Sequence, residues 1–151
     1  MTVAAVLRHK GSSVISVAPG DSVAAAAEVI VHRRIGAVVV LDGEGHLVGI
    51  LSERDIVRGL TQHGAALLAL PVSALMTQAV QVVGPETSVD EAMEIMDAGY
   101  FRHLPVQGAD GQLCGIVSIR DLVRYRITAQ QSDVESLQAY VIGRGYALGR
   151  V

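Results

Sequence analysis

Aromatic residues and cysteine are scarce in this 151-residue sequence, and asparagine is absent. One Phe, four Tyr and no Trp leave the core to be packed with Val, Ile, Leu, Ala and Met, side chains that suit layered strands and helices. The single cysteine, Cys114, excludes an intramolecular disulfide and a cysteine-cluster metal site, and it fits a reducing compartment. Without asparagine there is no acceptor for N-glycosylation.

Long apolar runs, a secretory signal and an excess of positive charge are also missing. No apolar stretch approaches the roughly 18 residues of a membrane helix, and the N-terminus lacks the residue order of a signal peptide, so we expect a soluble, cytoplasmic protein without membrane contact. The formal net charge of −3 argues against general nucleic-acid binding. The five histidines are scattered, with no pair at ligand spacing beside a carboxylate cluster, so no metal site is predicted.

The dominant feature of the sequence is an internal repeat. A shift of 66 residues aligns Val14–Leu60 with Val80–Arg126 without a gap, and 17 of the 47 aligned positions are identical. A repeat of this length determines the architecture before any single motif is interpreted. The sequence therefore divides into a lead-in helix over residues 1–13, copy one over 14–63, a linker over 64–79, copy two over 80–127, and a C-terminal helix and tail over 128–151.

Each copy carries the same order of predicted elements: strand, helix, strand, strand, helix. The first helices, Val23–Arg33 and Val89–Ala98, have apolar residues at helical spacing. One copy cannot cover both faces of a three-stranded sheet, so we predict an α+β fold in which the two copies pack sheet to sheet. After copy two, residues 127–146, which include Ser132-Asp-Val-Glu135, Leu137 and Tyr140, predict a capped C-terminal helix, and the tail beyond Gly143 is expected to be frayed.

The polar signature of each copy is Gly-x-x-Ser-x-Arg-Asp, at the step from a strand to a helix. The Ser hydroxyl and the free amides of the first helical turn can bind an anion such as phosphate. The Asp can accept two hydrogen bonds from a ribose diol, and the Arg can add a charge-assisted contact to phosphate. The residues concerned are Ser52, Arg54 and Asp55 in copy one and Ser118, Arg120 and Asp121 in copy two.

A second interpretation of this signature is purely structural. Ser-x-x-Asp at a helix start also resembles a capping box with Asp in place of Glu, in which both residues only close the helix. One copy alone would favour the cap. The recurrence of the motif at twin positions, with Arg before the Asp, favours a binding site because a cap needs no Arg.

The two copies, with this signature in register, resemble a tandem pair of cystathionine-β-synthase (CBS) domains, the Bateman module, of the stand-alone bacterial type. Further matches are Leu75-Met76-Thr77 before copy two and Arg102-His103-Leu104-Pro105-Val106 on its first strand. The resemblance implies pseudo-twofold packing and a regulatory signal-transduction sensor of AMP, ADP, ATP, NAD or S-adenosylmethionine. It further implies no catalytic cofactor, a partner protein regulated in trans, and frequent assembly as a flat homodimer.

The resemblance also assigns residues to two clefts between the copies. In each cleft the Asp holds the ribose, the Ser lies near the ribose-phosphate, and the isoleucine two residues before the Ser packs by the adenine. The cleft of copy one comprises Ile50, Ser52, Arg54 and Asp55, with Phe101, Arg102 and His103 opposite. The cleft of copy two comprises Ile116, Ser118, Arg120 and Asp121, with Ile35, Gly36 and Ala37 opposite. Thr77 to Val80, and Ser12 to Val14, are expected along the adenine edge.

Other roles and functions stay open at this point. His103 is either a phosphate contact or a strand-end residue, and Cys114 is predicted to be a small core residue. The two clefts are expected to differ in affinity. A ligand-free structural or protein-interaction module is the alternative function. An enzyme acting on a nucleotide is disfavoured because the clefts offer no nucleophile–base pair.

Overall fold

The secondary structure repeats the predicted order twice. The computed structural model describes the backbone of residues 1–148 and the side chains of residues 1–143. The elements of the first half are α1 Val3–Lys10, β1 Ser16–Val17, α2 Val23–Arg33, β2 Ala37–Leu41, β3 Leu47–Ser52 and α3 Glu53–His63. Two 3-10 helices follow, Gly64–Ala69 and Val72–Ala74. The second half contains α4 Val89–Gly99, β4 His103–Gln107, β5 Leu113–Ser118 and α5 Ile119–Leu148.

Each copy forms its own small sheet, and the fold is α+β as predicted. In copy one the order is β1-β2-β3, with β1 parallel and β3 antiparallel to β2. In copy two β4 and β5 pair antiparallel, with Pro105 opposite Ile116. The predicted first strand of copy two, 80–84, is reduced to Val83, which bridges in parallel to Val106. Two backbone hydrogen bonds form this bridge. The Val83 amide donates to the Pro105 carbonyl, and the Val83 carbonyl accepts from the Gln107 amide.

The segment that precedes each copy packs on the other copy. Helix α1 buries Val3, Val6 and Leu7 in the core of copy two, and the Val3 amide donates to the Thr87 carbonyl at 2.8 Å. The linker in turn buries Val72 in the core of copy one. Both lead-in segments therefore pack across onto the other copy.

Helix α5 departs from the sequence interpretation. A separate capped C-terminal helix was expected over residues 127–146, but α5 runs unbroken over 30 residues from Ile119 to Leu148. No Gly or Pro interrupts residues 119–142, so nothing ends the first helix, and the amides near Ser132 already have helical partners. The frayed tail expected beyond Gly143 is helical to Leu148, and residues 149–151 lie outside the described residues. Among the described helices, α5 included, none has the length and apolar character needed to cross a membrane.

Candidate functional site

The signature Ser and Asp of both copies form helix caps. The Ser52 amide donates to Asp55 Oδ2 at 2.8 Å, and the Asp55 amide donates to Ser52 Oγ at 3.3 Å. In copy two the Ser118 amide donates to Asp121 Oδ2 at 2.9 Å, and the Asp121 amide donates to Ser118 Oγ at 3.1 Å. The Ser and Asp of each signature therefore do form a helix cap, as the structural interpretation of the motif predicted. Each cap fixes its carboxylate through one oxygen, Oδ2, so the other oxygen is left for further contacts.

A cleft of about 290 Å³ opens around Asp55, close to the lower end of small-molecule sites at roughly 300 Å³. Residues of both copies line this Asp55 cleft. The sequence-predicted residues that it brings together are Gly36, Ile50, Ser52, Arg54, Asp55, Thr77, Val80, Phe101, Arg102 and His103. Gly36 was expected in the cleft of copy two, and it also lines the Asp55 cleft, beside His103. A Cβ on Gly36 would lie 2.9 Å from His103 Cε1, so glycine leaves room for the imidazole.

The linker forms one wall of the Asp55 cleft. The Ile50 amide donates to the Thr77 carbonyl at 3.0 Å, and the Thr77 amide donates to the Ile50 carbonyl at 2.9 Å. This antiparallel bridge extends the edge of β3 and continues into Ala79 and Val80, which also line the cleft. The other predicted edge, Ser12 to Val14, is not part of this lining.

Guanidinium groups surround the cleft. Arg54, Arg58 and Arg102 all line it, and Arg54 Nη1 donates to the Tyr100 carbonyl at 3.1 Å, which joins the two copies. Arg58 Nη1 lies 3.7 Å from Asp55 Oδ1. Such a group of cations around one half-buried carboxylate suits a ligand that carries both hydroxyls and an anionic group.

Sequence reasoning missed five residues that line the cleft: Glu53, Arg58, Gln81, Gly99 and Tyr100. Arg58 recurs as Arg124 at the repeat distance of 66, and it lies one helical turn after Asp55, so the repeat itself carried the signal. Tyr100 had no comparable signal, because its place depends on a left-handed backbone at the end of α4 with φ of 56°. Its side chain is 86% exposed at the mouth of the cleft.

The equivalent place around Asp121, which we call the Asp121 site, has a different occupant. The Lys10 ammonium donates to Asp121 Oδ2 at 2.6 Å and to the Ile116 carbonyl at 2.9 Å. The structure therefore brings Ile116, Ser118 and Asp121 together, with Lys10 among them. Of the remaining residues predicted for this site, Arg120 is exposed, Ile35 packs against the core of copy one, and Ala37 is buried in β2. Their contribution to the site stays a prediction.

Two ionisable groups of these sites have shifted pKa values. Burial lowers the pKa of His103 below its ordinary 6.5, the Asp121 carboxylate opposes this, and Lys10 and Arg102 add to the lowering. Burial raises the pKa of Asp121, but the hydrogen bond from Lys10 and the bonds from Ser118 outweigh it, so the net pKa lies below 3.8. His103 lines the Asp55 cleft and also senses the charges of the Asp121 site. It stands between the two sites as a neutral imidazole at pH 7.

The histidines, carboxylates and single cysteine of the described residues were expected to form no metal site and no reactive thiol. Within residues 1–148, no group of three or more His, Cys, Asp or Glu side chains is placed to hold a metal ion. Cys114 is a free, half-buried thiol that packs against the core of copy two, where sequence reasoning placed it.

The fold and the Asp55 cleft define a class: a duplicated α+β module with a ligand-sized cleft between its copies. The sequence profile of the CBS domain matches residues 5–62 and 72–128. The chain belongs to the CBS-domain family, as a tandem pair.

Three relatives illustrate this membership. The crystal structure of a CBS-domain-containing protein from Agrobacterium tumefaciens superposes with a TM-score of 0.81 and 42% identity, covering 83% of this chain and 92% of that one. The mitochondrial CBS-domain protein CBSX3 of Arabidopsis thaliana is 33% identical over 153 residues, which span 96% of this chain and 73% of that protein. The structure of CBSX2 in complex with AMP has a TM-score of 0.65 and 29% identity, covering 80% of this chain and 91% of that one.

Proposed function

We propose that this CBS pair is a non-enzymatic, cytoplasmic sensor that binds an adenine nucleotide in the Asp55 cleft and regulates a partner protein in trans. The observation that carries the proposal is the Asp55 carboxylate. Its side chain is only 10% exposed, the cap with Ser52 fixes its orientation, and it lines a cleft of suitable size. A carboxylate held in this way can accept hydrogen bonds from the two hydroxyls of a ribose.

The rest of the cleft supports a phosphorylated nucleoside. Ile50 and Val80 offer apolar surface to a base, and the Thr77 backbone forms its edge. Arg54, Arg58 and Arg102 provide donors for phosphate. Their three positive charges, against the carboxylates of Glu53 and Asp55, favour an anionic ligand of the AMP, ADP, ATP or NAD type over cationic S-adenosylmethionine. The AMP bound by the relative CBSX2 belongs to the same class.

We also propose that the sensor acts as a homodimer. The helices that follow the two signatures expose apolar residues, among them Val57, Leu60, Val123 and Ile127, each at least 42% exposed. Val57 and Val123 are equivalent in the repeat, so the pseudo-twofold presents matching apolar faces. Isologous pairing is the commonest way to bury such a surface. Light scattering after size exclusion checks this, and a species at the chain mass of 15.9 kDa would contradict it.

Calorimetry with AMP tests the site. Asp55→Ala removes charge-assisted hydrogen bonds to ribose, each worth roughly 1.5–3 kcal/mol, so affinity should fall at least about tenfold. The matched control is Asp121→Ala, which removes the equivalent cap but leaves the lining of the Asp55 cleft intact. It should bind AMP in the Asp55 cleft as the wild type does.

The outcomes separate the candidate functions. Absence of heat and of any thermal shift with AMP, ATP and NAD in the wild-type protein would favour a ligand-free interaction module. In that case the signature residues would serve only as the caps described above. Binding that survives Asp55→Ala unchanged would keep the sensor function but refute the site.

A further inference from the structure

Lys10 is the only lysine in the sequence, and its ammonium lies within the Asp121 site. It donates to Asp121 Oδ2 at 2.6 Å and to the Ile116 carbonyl at 2.9 Å. The side chains of Lys10 and Asp121 are 31% and 23% exposed, so the pair is partly withdrawn from solvent. Asp121 and Ile116 are the repeat equivalents of Asp55 and Ile50, which line the open cleft.

The position of Lys10 is set by the way α1 packs. Val6 and Leu7 of this helix are buried in the core of copy two. Leu7 lies over the signature glycine of that copy, where a Cβ on Gly115 would stand 2.8 Å from Leu7 Cδ2. Lys10 is the last residue of α1, one turn beyond Leu7. Its stem therefore starts from a fixed point beside the Asp121 site and not from a loose N-terminal arm.

The repeat shows what Lys10 replaces. The two lead-in segments align with a shift of 69, because the Val3 and Val72 amides donate to the equivalent carbonyls of Thr87 and Asp21, and Leu7 and Met76 pack on the two signature glycines. The residue equivalent to Lys10 is therefore Ala79, which is uncharged and lines the Asp55 cleft. In copy one the Ile50 carbonyl accepts from the Thr77 backbone amide. In copy two the equivalent carbonyl, that of Ile116, accepts from the Lys10 ammonium. The same ammonium neutralises Asp121, for which the Asp55 cleft has no lysine counterpart.

We propose that Lys10 is an internal occupant of the Asp121 site, which makes the two sites unequal and limits the chain to one tightly bound nucleotide. This rests on the proposed function of the Asp55 cleft. A ribose needs the Asp121 carboxylate as an acceptor. Lys10 donates to the same oxygen, Oδ2, that the cap uses, so its ammonium neutralises the carboxylate and leaves only Oδ1 to accept from a ribose. A nucleotide binds there only in the fraction of molecules in which Lys10 has withdrawn, so its apparent affinity falls by that fraction.

A role of Lys10 as a phosphate ligand fits the geometry less well. Its ammonium contacts the carboxylate and the strand carbonyl, the groups expected to face the nucleoside and not the phosphate. To reach a phosphate it would have to leave both acceptors. The two roles make opposite predictions for the variant that lacks the charge.

The experiment is calorimetry with AMP at pH 7.5 on Lys10→Met, which removes the ammonium and keeps an unbranched side chain. We expect one AMP per chain for the wild type and two for Lys10→Met, the second at least ten times tighter than any second binding by the wild type. Arg8→Met is the matched control, because it removes one positive charge from the same last turn of α1 and should keep the wild-type stoichiometry. Lys10→Gln, which keeps the side chain polar, should behave like Lys10→Met.

Combined variants locate the second AMP. Lys10→Met with Asp55→Ala should bind one AMP per chain, and the further change Asp121→Ala should abolish it. The inference is overturned if the wild type binds two AMP of similar affinity, if Lys10→Met stays at one, or if Lys10→Met weakens a second binding as loss of a phosphate ligand would. The proposed function fails in a different way, by the absence of AMP binding from the wild type and from every variant.

Discussion

Asp55 and Asp121 hold equivalent places in the two copies, and each closes its helix through the same pair of hydrogen bonds with the preceding serine. Their surroundings differ. Asp55 faces a cleft ringed by arginines, whereas Asp121 holds an ammonium from the opposite end of the chain. The signature therefore provides the carboxylate in both copies, and the segment that packs across from outside the copy determines whether that carboxylate is available to a ligand.

The crosswise packing explains how such a difference can arise. Helix α1 serves copy two, and the linker serves copy one. A change in either segment therefore alters one site and leaves the signature of both copies untouched. Lys10 and Ala79 occupy equivalent positions in these two segments, and the ammonium of Lys10 distinguishes the Asp121 site from the Asp55 cleft.

The largest expected effects concern the two cores. Leu51 in copy one and Leu104 in copy two are both fully buried, and Leu→Ala at either should lower the free energy of unfolding by about 2–5 kcal/mol. Because each core includes a lead-in segment from the other half, both variants should unfold in a single transition in urea. Val31→Ala, at a position 73% exposed, is the control and should cost less than about 0.5 kcal/mol. Two separate transitions would show that the copies are independent units.

The two serine caps should contribute equally to the free energy of unfolding but unequally to AMP binding. Ser52→Ala and Ser118→Ala each remove one helix cap, at a cost of about 1 kcal/mol to folding. Only Ser52→Ala also loosens Asp55, so only this variant should weaken AMP binding. Urea unfolding and AMP titration of the two variants provide the comparison, and a loss of AMP affinity in Ser118→Ala would contradict it.

The stability of the protein should depend on pH through His103, which lies between the sites. Its pKa in the folded protein is below 6.5 because of burial. In the window between the two values the unfolded chain binds more protons, so this stabilisation is present above pH 6.5 and is lost as the pH falls below it. We expect His103→Gln to lose less stability than the wild type between pH 7.5 and pH 5. Thermal unfolding across this range measures the difference, with His63→Gln on the exposed end of α3 as the control, and equal losses would contradict the assignment.

The smallest effect concerns Asp121 itself. The hydrogen bond from Lys10 helps to hold the pKa of the Asp121 carboxyl below 3.8. The stabilisation that the ionised Asp121 provides is therefore present above pH 3.8 and is lost as the pH falls below it. In Lys10→Met the pKa of Asp121 should rise, because burial then acts with less opposition. Carboxyl ¹³C titration by NMR reports this directly. An unchanged pKa would mean that Lys10 does not hold Asp121 in solution.

Local sequence patterns predicted the helices and strands within each copy. They did not predict the contacts between segments that are distant in the sequence. The bounds of α2 and β2 agree with the sequence interpretation because capping at Ser22 and the apolar run of Ala37–Leu41 are local signals. The unbroken α5 was missed because the residues around Ser132 match a helix N-cap even inside a helix. The pattern does not show that the preceding helix continues through this position. Lys10 was missed because it lies outside the aligned repeat and acts on residues more than 100 positions away.

The most direct test of the account is a crystal structure of the protein grown with AMP in moderate excess over one equivalent per chain. We predict AMP in the Asp55 cleft, with its ribose on Asp55 and its phosphate among Arg54, Arg58 and Arg102, while Lys10 remains on Asp121. AMP bound at Asp121 with Lys10 displaced, while the Asp55 cleft stays empty, would contradict both the function assigned to that cleft and the role assigned to Lys10.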